Sequence, residues 1–295
     1  MVSIVLPTYN GEKYIRESIQ SIINQKFNNW ELIVIDDCST DSTNNIVSEF
    51  VSKDKRIKLY RNKKNLRLPA SLNVGFAKTS GEYLTWTSDD NLYNPEALKK
   101  LVEQLEKDEN CGLVFSRMEY IDKNGNSSRF SYEPHNIEEI YYHNIVNASF
   151  MYKREVYEDI GEYNTDRFLI EDYDYWLRIA RKYKIKYIGD VLYKYRIHDE
   201  SLTEVKNRQI LEKKVMLLKE EIELTEHPDW IKRFIYKEIA ESSFSLNKYD
   251  EMSKFIKKMK AIKPGLVDLR KAVLISYKIG PRLSYIMKKL LRRGL

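Results

Sequence analysis

Two adjacent carboxylates, Asp89 and Asp90, follow a largely apolar run at residues 82–87. Carboxylates in a loop can bind a hard divalent cation that keeps several of its waters. Such a cation can bridge a diphosphate and neutralise the charge of a leaving group. The alternative is a solvated Asp-Asp turn that caps the next helix, and the pair alone leaves both interpretations open.

Polar residues of the kind that bind nucleotides follow two other apolar runs. Residues 7–10 read Pro-Thr-Tyr-Asn after the first run, and Asp36 and Asp37 follow the second. A Tyr ring can stack on a base, and a carboxylate can accept a hydrogen bond from the imide N–H of uracil. Each motif by itself is more typical of an ordinary turn at a strand end.

A third acidic segment, residues 171–174, precedes a stretch of helical spacing. Asp172 in this segment can act as a general base that takes the proton of an attacking hydroxyl. Acidic residues at the start of a helix also suit its free N–H groups and its dipole. Spacing favours this helix-start role, and the two roles are compatible.

The elements that must position these residues alternate between strand and helix patterns. Apolar runs at 3–6, 30–35, 56–60 and 82–87 are separated by stretches of helical periodicity. This alternation predicts an α/β fold with a doubly wound, mostly parallel sheet flanked by helices. Ligands of such sheets bind beyond the carboxyl ends of the strands, where the acidic residues lie.

Further elements follow, and after about residue 204 the strand patterns stop. We predict helices at 94–105 and 173–182, strands at 113–116 and 186–191, a hairpin turn at 122–126, and C-terminal helices at 209–226, 229–246 and 249–262. We therefore place a catalytic domain at 1–204 and a helical C-terminal region at 205–295.

Composition indicates an intracellular protein. The chain has 295 residues and two cysteines, which is too few for a disulfide framework. It shows neither a signal-peptide pattern nor an apolar stretch near the roughly 18 residues that span a bilayer. We expect a cytoplasmic protein with peripheral contact at the inner face of the cell membrane.

The membrane expectation comes from a basic tail. Residues 254–295 contain 13 Lys and Arg against one acid, so this segment is near +12 within a chain of net charge +6. Apolar residues of its last part fall on one helical face, at Leu283, Ile286, Met287 and Leu290. This pattern resembles an interfacial helix on an anionic bilayer. The alternative is a helix packed on the body with a solvated basic face.

Taken together, the motifs resemble the family 2 glycosyltransferases, which are inverting enzymes of the GT-A fold. The match runs from about residue 3 to residue 203. Its segments, in family order and at family-like separations, are residues 3–10, 30–41, 81–83, 88–91, 161–163 and 171–174. The resemblance implies a GT-A, Rossmann-like mixed sheet with the C-terminal helical region added to it.

The resemblance also assigns nucleotide-sugar-binding residues. Pro7, Thr8 and Tyr9 would line the uridine, with Tyr9 against the base, and Asp37 would hold the uracil imide. Arg67 lies in a stretch similar to a spore-coat polysaccharide member of the family, in which the matching Arg lies by the nucleotide. The alternative for Arg67 is a surface residue of the basic loop 61–67.

The same resemblance assigns the residues around the bond that reacts. Asp89 would face the donor, Asp90 would be the metal ligand of the DXD motif, and Asp172 would be the catalytic base. His198 occupies a place where many members have a His that touches diphosphate or metal, although a lone loop His is more often structural. Thr87 stands where many members carry an acid, so the metal geometry departs from the usual pattern.

The implied activity is transfer of a single sugar, with inversion, from a nucleotide-sugar, a UDP-sugar, to a hydroxyl acceptor. The processive Gln-x-x-Arg-Trp signature is absent from the sequence, which disfavours a polymerase. The cofactor would be Mn²⁺ or Mg²⁺. The acceptor would be a cell-envelope glycan or a lipid-linked saccharide.

Other function classes explain the sequence less well. A nucleotidyltransferase acting on sugar phosphates is the alternative, but the loop after the first strand lacks the expected Gly-rich basic character. A nicotinamide oxidoreductase would need G-x-G-x-x-G after that strand. We expect no nucleic-acid partner, although the basic tail leaves a nucleic-acid-binding module as a testable alternative.

Overall fold

The computed structural model describes residues 1–262, which form two compact units. The first unit comprises Met1–Ile140 and Asn144–Ile210, and the second comprises Tyr141–His143 and, of the described residues, 211–262. The domain boundary after residue 204 stays a prediction. The basic tail pattern around residues 283–290 lies outside the described residues.

The first half of the first unit is a parallel sheet with helices in the connections. Its elements are β1 (Val2–Thr8), α1 (Ile15–Ile23), β2 (Trp30–Asp36), α2 (Thr43–Val51), β3 (Ile57–Arg61), α3 (Leu68–Phe76) and β4 (Tyr83–Trp86). The strands lie in the order β3-β2-β1-β4, with parallel pairing throughout. Every residue of β1 and β2 is buried, which explains why both strands are nearly continuous apolar runs.

The second half extends the sheet with mixed pairing. Its elements are β5 (Leu92–Tyr93), α4 (Ala97–Glu106), β6 (Cys111–Ile121), β7 (Ser127–Phe130), β8 (Phe150–Lys153), α5 (Arg154–Ile160), α6 (Glu171–Ala180), β9 (Lys184–Arg196) and α7 (Leu202–Val205). The order continues β4-β8-β6-β9-β5, and β7 pairs with β6. The β6–β9 pair is parallel, whereas β8 is antiparallel to both of its neighbours.

Two strands are longer than their sequence patterns predict. The strand predicted at 186–191 is β9, which runs from Lys184 to Arg196, and the strand predicted at 113–116 is β6, which runs from Cys111 to Ile121. Both contain bulges in their mutual pairing, at Ser116 and Arg117. Bulges interrupt the alternation of apolar and polar residues, so the sequence pattern covers only part of each strand.

The second unit is helical in its described part. Its helices are α8 (Asn207–Leu224, which begins in the first unit), α9 (Asp229–Ser245) and α10 (Tyr249–Ala261). Ile235 and Ile239 of α9 are fully buried, and Phe255 of α10 is nearly so. Tyr142 joins this unit by stacking on Phe234, with ring centroids 4.9 Å apart.

No helix within residues 1–262 combines the length and apolarity needed to cross a bilayer.

Candidate functional site

The carboxyl ends of β1, β2 and β4 meet at one edge of the sheet. In the parallel register Thr8 lies opposite Asp36, and Val5 lies opposite Trp86. The backbone N–H of Asp37 donates to the carbonyl of Thr8 at 2.8 Å, which ties the first two strand-end loops together. Three segments far apart in sequence thus deliver their polar residues to one place.

Asp89 lies against the loop that follows β1. The Thr8 hydroxyl donates to Asp89 Oδ2 at 2.5 Å, and a Cβ at Gly11 would collide with the same oxygen. Burial, and then the charge of Asp90, raise the pKa of Asp89 to about 7. Glycine at position 11 is therefore needed for the carboxyl group to approach the backbone.

Asp90 pairs with His198, the residue 108 positions away. Asp90 Oδ2 lies 3.0 Å from His198 Nε2, and the two side chains are 18% and 11% exposed. Within residues 1–262, Asp90 Oδ1 and His198 Nδ1 are buried and have no hydrogen-bond partner. Buried polar atoms are nearly always satisfied, so these two atoms are candidates for contact with a bound ligand.

Arg196 holds this pair in position and was not singled out by the sequence. The side chain is 1% exposed, and its Nε donates to the carbonyl of Asp90 at 2.9 Å. Its Nη1 donates to the carbonyl of Lys123 at 3.2 Å, and its Nη2 pairs with Glu17 at 2.7 Å. The guanidinium also lies over the ring of Tyr14, with its central carbon 4.5 Å from the centroid.

A signal for Arg196 was present but weak. Arg196 lies beyond the strand predicted at 186–191 and two positions before His198, where an arginine reads as an ordinary surface charge. Only its burial reveals the role. The Tyr14 ring connects the two residues, because it lies under Arg196 and its centroid is 5.1 Å from that of His198.

Asp37 is almost entirely buried and braces the loop before α3. Its Oδ1 accepts from Asn62 Nδ2 and from the backbone N–H of Leu66, both at 2.8 Å. Its Oδ2 accepts from the backbone N–H of Arg67 at 2.9 Å. Arg67 has a left-handed backbone (φ 69°), and its exposed guanidinium lies 5.3 Å from the ring centroid of Phe168.

Pro7 and Tyr9 flank Thr8 with opposite exposure. Pro7 is buried within β1, whereas the Tyr9 side chain is 51% exposed beyond the end of the strand. An exposed aromatic ring beside buried polar groups is available for stacking on a planar ligand. The structure thus brings Thr8, Asp89, Asp90 and His198 together, with Tyr9 and Asp37 on the adjoining loops.

Asp172 lies in the first turn of α6. Its Oδ1 accepts from the backbone N–H of Tyr173 at 2.7 Å, and its Oδ2 accepts from Asn144 Nδ2 at 2.9 Å. Burial raises the pKa of Asp172, although the hydrogen bond from Asn144 opposes the shift. Burial also raises the pKa of Tyr195 to about 12, with contributions from the charges of both Asp90 and Asp172.

The charges of Asp90 and Asp172 both act on Tyr195, so each carboxylate lies within electrostatic range of that hydroxyl. Asn144 is the second residue that the sequence did not indicate, because an isolated Asn in a loop carries no recognisable signal.

In the described part of the chain, no group of three or more His, Cys, Asp or Glu side chains is arranged to hold a metal ion. A cation here would need additional ligands from water or substrate.

Sequence comparison identifies the family. Residues 3–161 match the family described as Glycosyl transferase family 2. An uncharacterized glycosyltransferase of Methanocaldococcus jannaschii is 34% identical over 221 residues, which cover 71% of this chain and 76% of the relative. An uncharacterized glycosyltransferase of Haemophilus influenzae is 33% identical over 223 residues, covering 71% and 69%.

Solved structures show the same fold. Mannosyltransferase PcManGT from Pyrobaculum calidifontis, in complex with GDP-Man and Mn²⁺, is similar with a TM-score of 0.65 and 19% identity, covering 96% of this chain and 82% of that one. S. aureus TarS 1–349 in complex with UDP-GlcNAc has a TM-score of 0.64 and 20% identity, covering 89% and 82%. The predicted mixed α/β architecture of GT-A type is therefore confirmed.

Proposed function

The chain belongs to glycosyltransferase family 2, and we propose that it is an inverting, metal-dependent enzyme that transfers one sugar from a UDP-sugar. The sugar would be a hexosyl or N-acetylhexosaminyl unit, and the acceptor a hydroxyl group. The observation that carries the proposal is the Asp90–His198 pair, with one unsatisfied buried atom on each side chain, at the carboxyl edge of the sheet.

The nucleotide end favours uracil on hydrogen-bonding grounds. A carboxylate offers about four acceptor positions, and contacts within residues 1–262 occupy three of those of Asp37. One position remains, on Oδ2. A single position matches the one imide N–H of uracil, whereas guanine presents adjacent N–H donors that would need two. Tyr9 would stack on the base, and Arg67 would approach the phosphates.

Asp90 and His198 would be the metal ligands. A histidine nitrogen and a carboxylate oxygen are both suitable ligands for Mn²⁺, and a carboxylate suits Mg²⁺. Because two side chains cannot complete a coordination sphere, the diphosphate of the donor and water would supply the remaining ligands. The bound cation would neutralise charge that develops on the departing diphosphate. Asp89, held by Thr8, would face the donor.

Asp172 would be the general base of a single displacement. The acceptor oxygen forms a bond to the anomeric carbon while the bond from that carbon to the diphosphate oxygen breaks. The hydroxyl proton passes to Asp172. Burial raises the pKa of this carboxyl, which makes its ionised form a stronger base than an exposed aspartate. No covalent intermediate with the protein is required, which is consistent with inversion.

An envelope glycan or a lipid-linked saccharide is our proposed acceptor class. The feature that supports it is the basic tail with its amphipathic pattern at residues 283–290, and that pattern lies outside the described residues. Such a tail would hold the enzyme at an anionic membrane surface, where lipid-linked saccharides are found.

Calorimetric titration of the nucleotide tests this proposal directly. We expect UDP to bind in the presence of Mn²⁺ and to bind much more weakly after chelation or in Asp90→Ala. GDP should bind more weakly than UDP because of the single acceptor position on Asp37. Asp159→Asn is the matched control, since this exposed aspartate pairs with Lys182 away from the site.

Either of two results would contradict the proposal. Absence of UDP binding with and without Mn²⁺ would remove the UDP-sugar assignment. Metal-dependent binding that Asp90→Ala leaves unchanged would remove the proposed metal site. If UDP binds as expected, the next experiment is a screen of UDP-sugars with the full-length protein.

A further inference from the structure

The side chain of Asn144 donates a hydrogen bond to the Asp172 carboxylate. Its Nδ2 contacts Asp172 Oδ2 at 2.9 Å, while Oδ1 of the same carboxylate accepts from the backbone N–H of Tyr173 at 2.7 Å. With one donor on each oxygen, the plane of the carboxyl group is fixed. Each oxygen still has a second acceptor position that can receive a substrate hydroxyl.

The orientation of the Asn144 amide is itself determined by its surroundings. The backbone N–H of Asn147 points at Asn144 Oδ1, at 3.4 Å, so the oxygen occupies that side and the NH₂ group faces Asp172. Asn147 has a left-handed backbone (φ 55°), and its own Nδ2 donates to the carbonyl of Ile145 at 3.0 Å.

This turn is anchored in the core. Ile145 and Val146, between the two asparagines, are 3% and 0% exposed. A turn held by two buried side chains cannot move its first residue without disturbing the core packing. The hydrogen bond to Asp172 is therefore preorganised before any substrate binds.

Burial and nearby charge oppose the ionisation of Asp172. Burial is the largest influence on its pKa, and the charge of Asp174, two residues along the same helix, acts in the same direction. Tyr163 and Tyr195 also face the carboxyl, since its charge raises the pKa values of both hydroxyls, which burial raises first. The hydrogen bond from the Asn144 side chain favours the charged form of Asp172, as does the one from the backbone N–H of Tyr173.

We propose that Asn144 is the positioning residue of the base. Its amide holds the Asp172 carboxyl in the ionised and oriented form that accepts the proton of the acceptor hydroxyl. This inference rests on the proposed role of Asp172. A neutral amide suits the task, because a cation would weaken the base and a second carboxylate would repel it.

The first experiment measures the pKa of the Asp172 carboxyl group in the absence of substrate. Full-length protein is labelled at the aspartate ¹³Cγ, and the Asp172 resonance is assigned by its loss in Asp172→Asn. We expect Asn144→Ala to raise the pKa of Asp172 by about one unit. Asn144→Asp should raise it further through like-charge repulsion, and this nearly isosteric variant serves if the alanine variant does not fold.

The control is another Asn–Asp pair of the same chain. Asn126 Nδ2 donates to Asp122 Oδ2 at 3.1 Å in the exposed hairpin turn, so Asn126→Ala removes a similar hydrogen bond elsewhere. It should leave the Asp172 titration unchanged. An Asp172 titration that is the same in wild type, Asn144→Ala and Asn144→Asp would overturn the inference.

The second experiment follows sugar transfer against pH. In Asn144→Ala the acid limb of the pH profile of kcat/KM should shift to higher pH by the same amount as the pKa of Asp172, with the donor KM unchanged. A loss of activity that is equal at every pH would indicate a purely structural role and would contradict the inference.

The two experiments separate this inference from the proposed function. If Asp172→Asn keeps the wild-type rate, the assignment of the base fails, and the inference fails with it even if the titration shifts. If Asp172→Asn is inactive but the titration does not shift, the base assignment stands and only the role of Asn144 fails.

Discussion

At the amino edge of the sheet the buried carboxylate of Glu31 is fully hydrogen-bonded, whereas at the carboxyl edge that of Asp90 is not. Glu31 Oε1 accepts from the Ser3 hydroxyl and from the backbone N–H of Ser80, both at 2.7 Å, and Oε2 accepts from Lys58 Nζ at 3.0 Å. Burial would raise the pKa of Glu31, but these hydrogen bonds together lower it.

The carboxyl edge has the opposite character. Asp90 has one side-chain partner, His198, and one oxygen that lacks a partner among residues 1–262. The neighbouring carboxyl of Asp89 has a pKa raised to about 7 by burial and by the charge of Asp90. A carboxylate whose oxygens are hydrogen-bonded within the chain stabilises the fold. A carboxylate with an oxygen that lacks a hydrogen-bond partner is available to a ligand.

The largest expected effect is on catalysis at the carboxyl edge. Asp172→Asn should lower kcat/KM roughly 10²–10⁴-fold, because the amide cannot accept the acceptor proton. Its thermal midpoint should change little, because removing a buried charge offsets the one hydrogen bond that the amide NH₂ group cannot accept. Steady-state kinetics and calorimetric melting measure the two quantities, with Asp159→Asn as control. Wild-type turnover in Asp172→Asn would remove the base assignment.

Arg196 is an exception to this comparison, because it lies at the carboxyl edge and yet its guanidinium is hydrogen-bonded within the chain. Arg196→Lys should lower the free energy of unfolding by ~2–4 kcal/mol, since one ammonium cannot replace a fork that reaches Asp90, Lys123 and Glu17. Metal-dependent UDP binding should weaken as well. Urea unfolding and calorimetry test both, and unchanged nucleotide affinity would show that the clamp does not position Asp90.

At the amino edge, Glu31→Leu should destabilise the fold by ~2–3 kcal/mol, because the Ser80 N–H and the Ser3 hydroxyl lose their acceptor. Glu31→Gln keeps an acceptor for both and should lose less than about 1 kcal/mol, since Lys58 is half exposed. Urea denaturation compares the two variants. Equal losses would mean that the charge, and not the hydrogen-bond acceptor, matters.

The contribution of Glu31 should also depend on pH. Its folded pKa is lowered from the ordinary 4.5, so its charged-state stabilisation is complete above that value and is lost as pH falls through the folded pKa. The stability difference between wild type and Glu31→Gln should therefore shrink below about pH 4.5. Urea midpoints at pH 7, 5, 4 and 3 test this, and a constant difference would contradict it.

The smallest expected effect is that of Asp90→Asn on stability. Removing this charge relieves its repulsion of Asp89, so the free energy of unfolding should stay within ~1 kcal/mol of wild type or rise. Metal-dependent UDP binding should nevertheless be lost. A destabilisation as large as that of Glu31→Leu would show that both edges serve the fold equally.

Local patterns were sufficient for the parallel half of the sheet. The fully buried strands β1 and β2 are long apolar runs that end abruptly at polar residues, so their positions follow directly from the sequence. β9 was underestimated, because its bulged pairing with β6 breaks the local pattern over which a strand is recognised.

By itself the sequence determined the family, the α/β class and the strand-end location of Thr8, Asp37, Asp89 and Asp90, because these depend on short-range periodicity and on motif order. Only the tertiary structure decided that His198 meets Asp90, that Arg196 is a buried clamp and that Asn144 orients Asp172. The physical reason is distance along the chain. Hydrogen bonds between residues 28 to 108 positions apart form only where packing brings their segments together, and no local pattern records that packing.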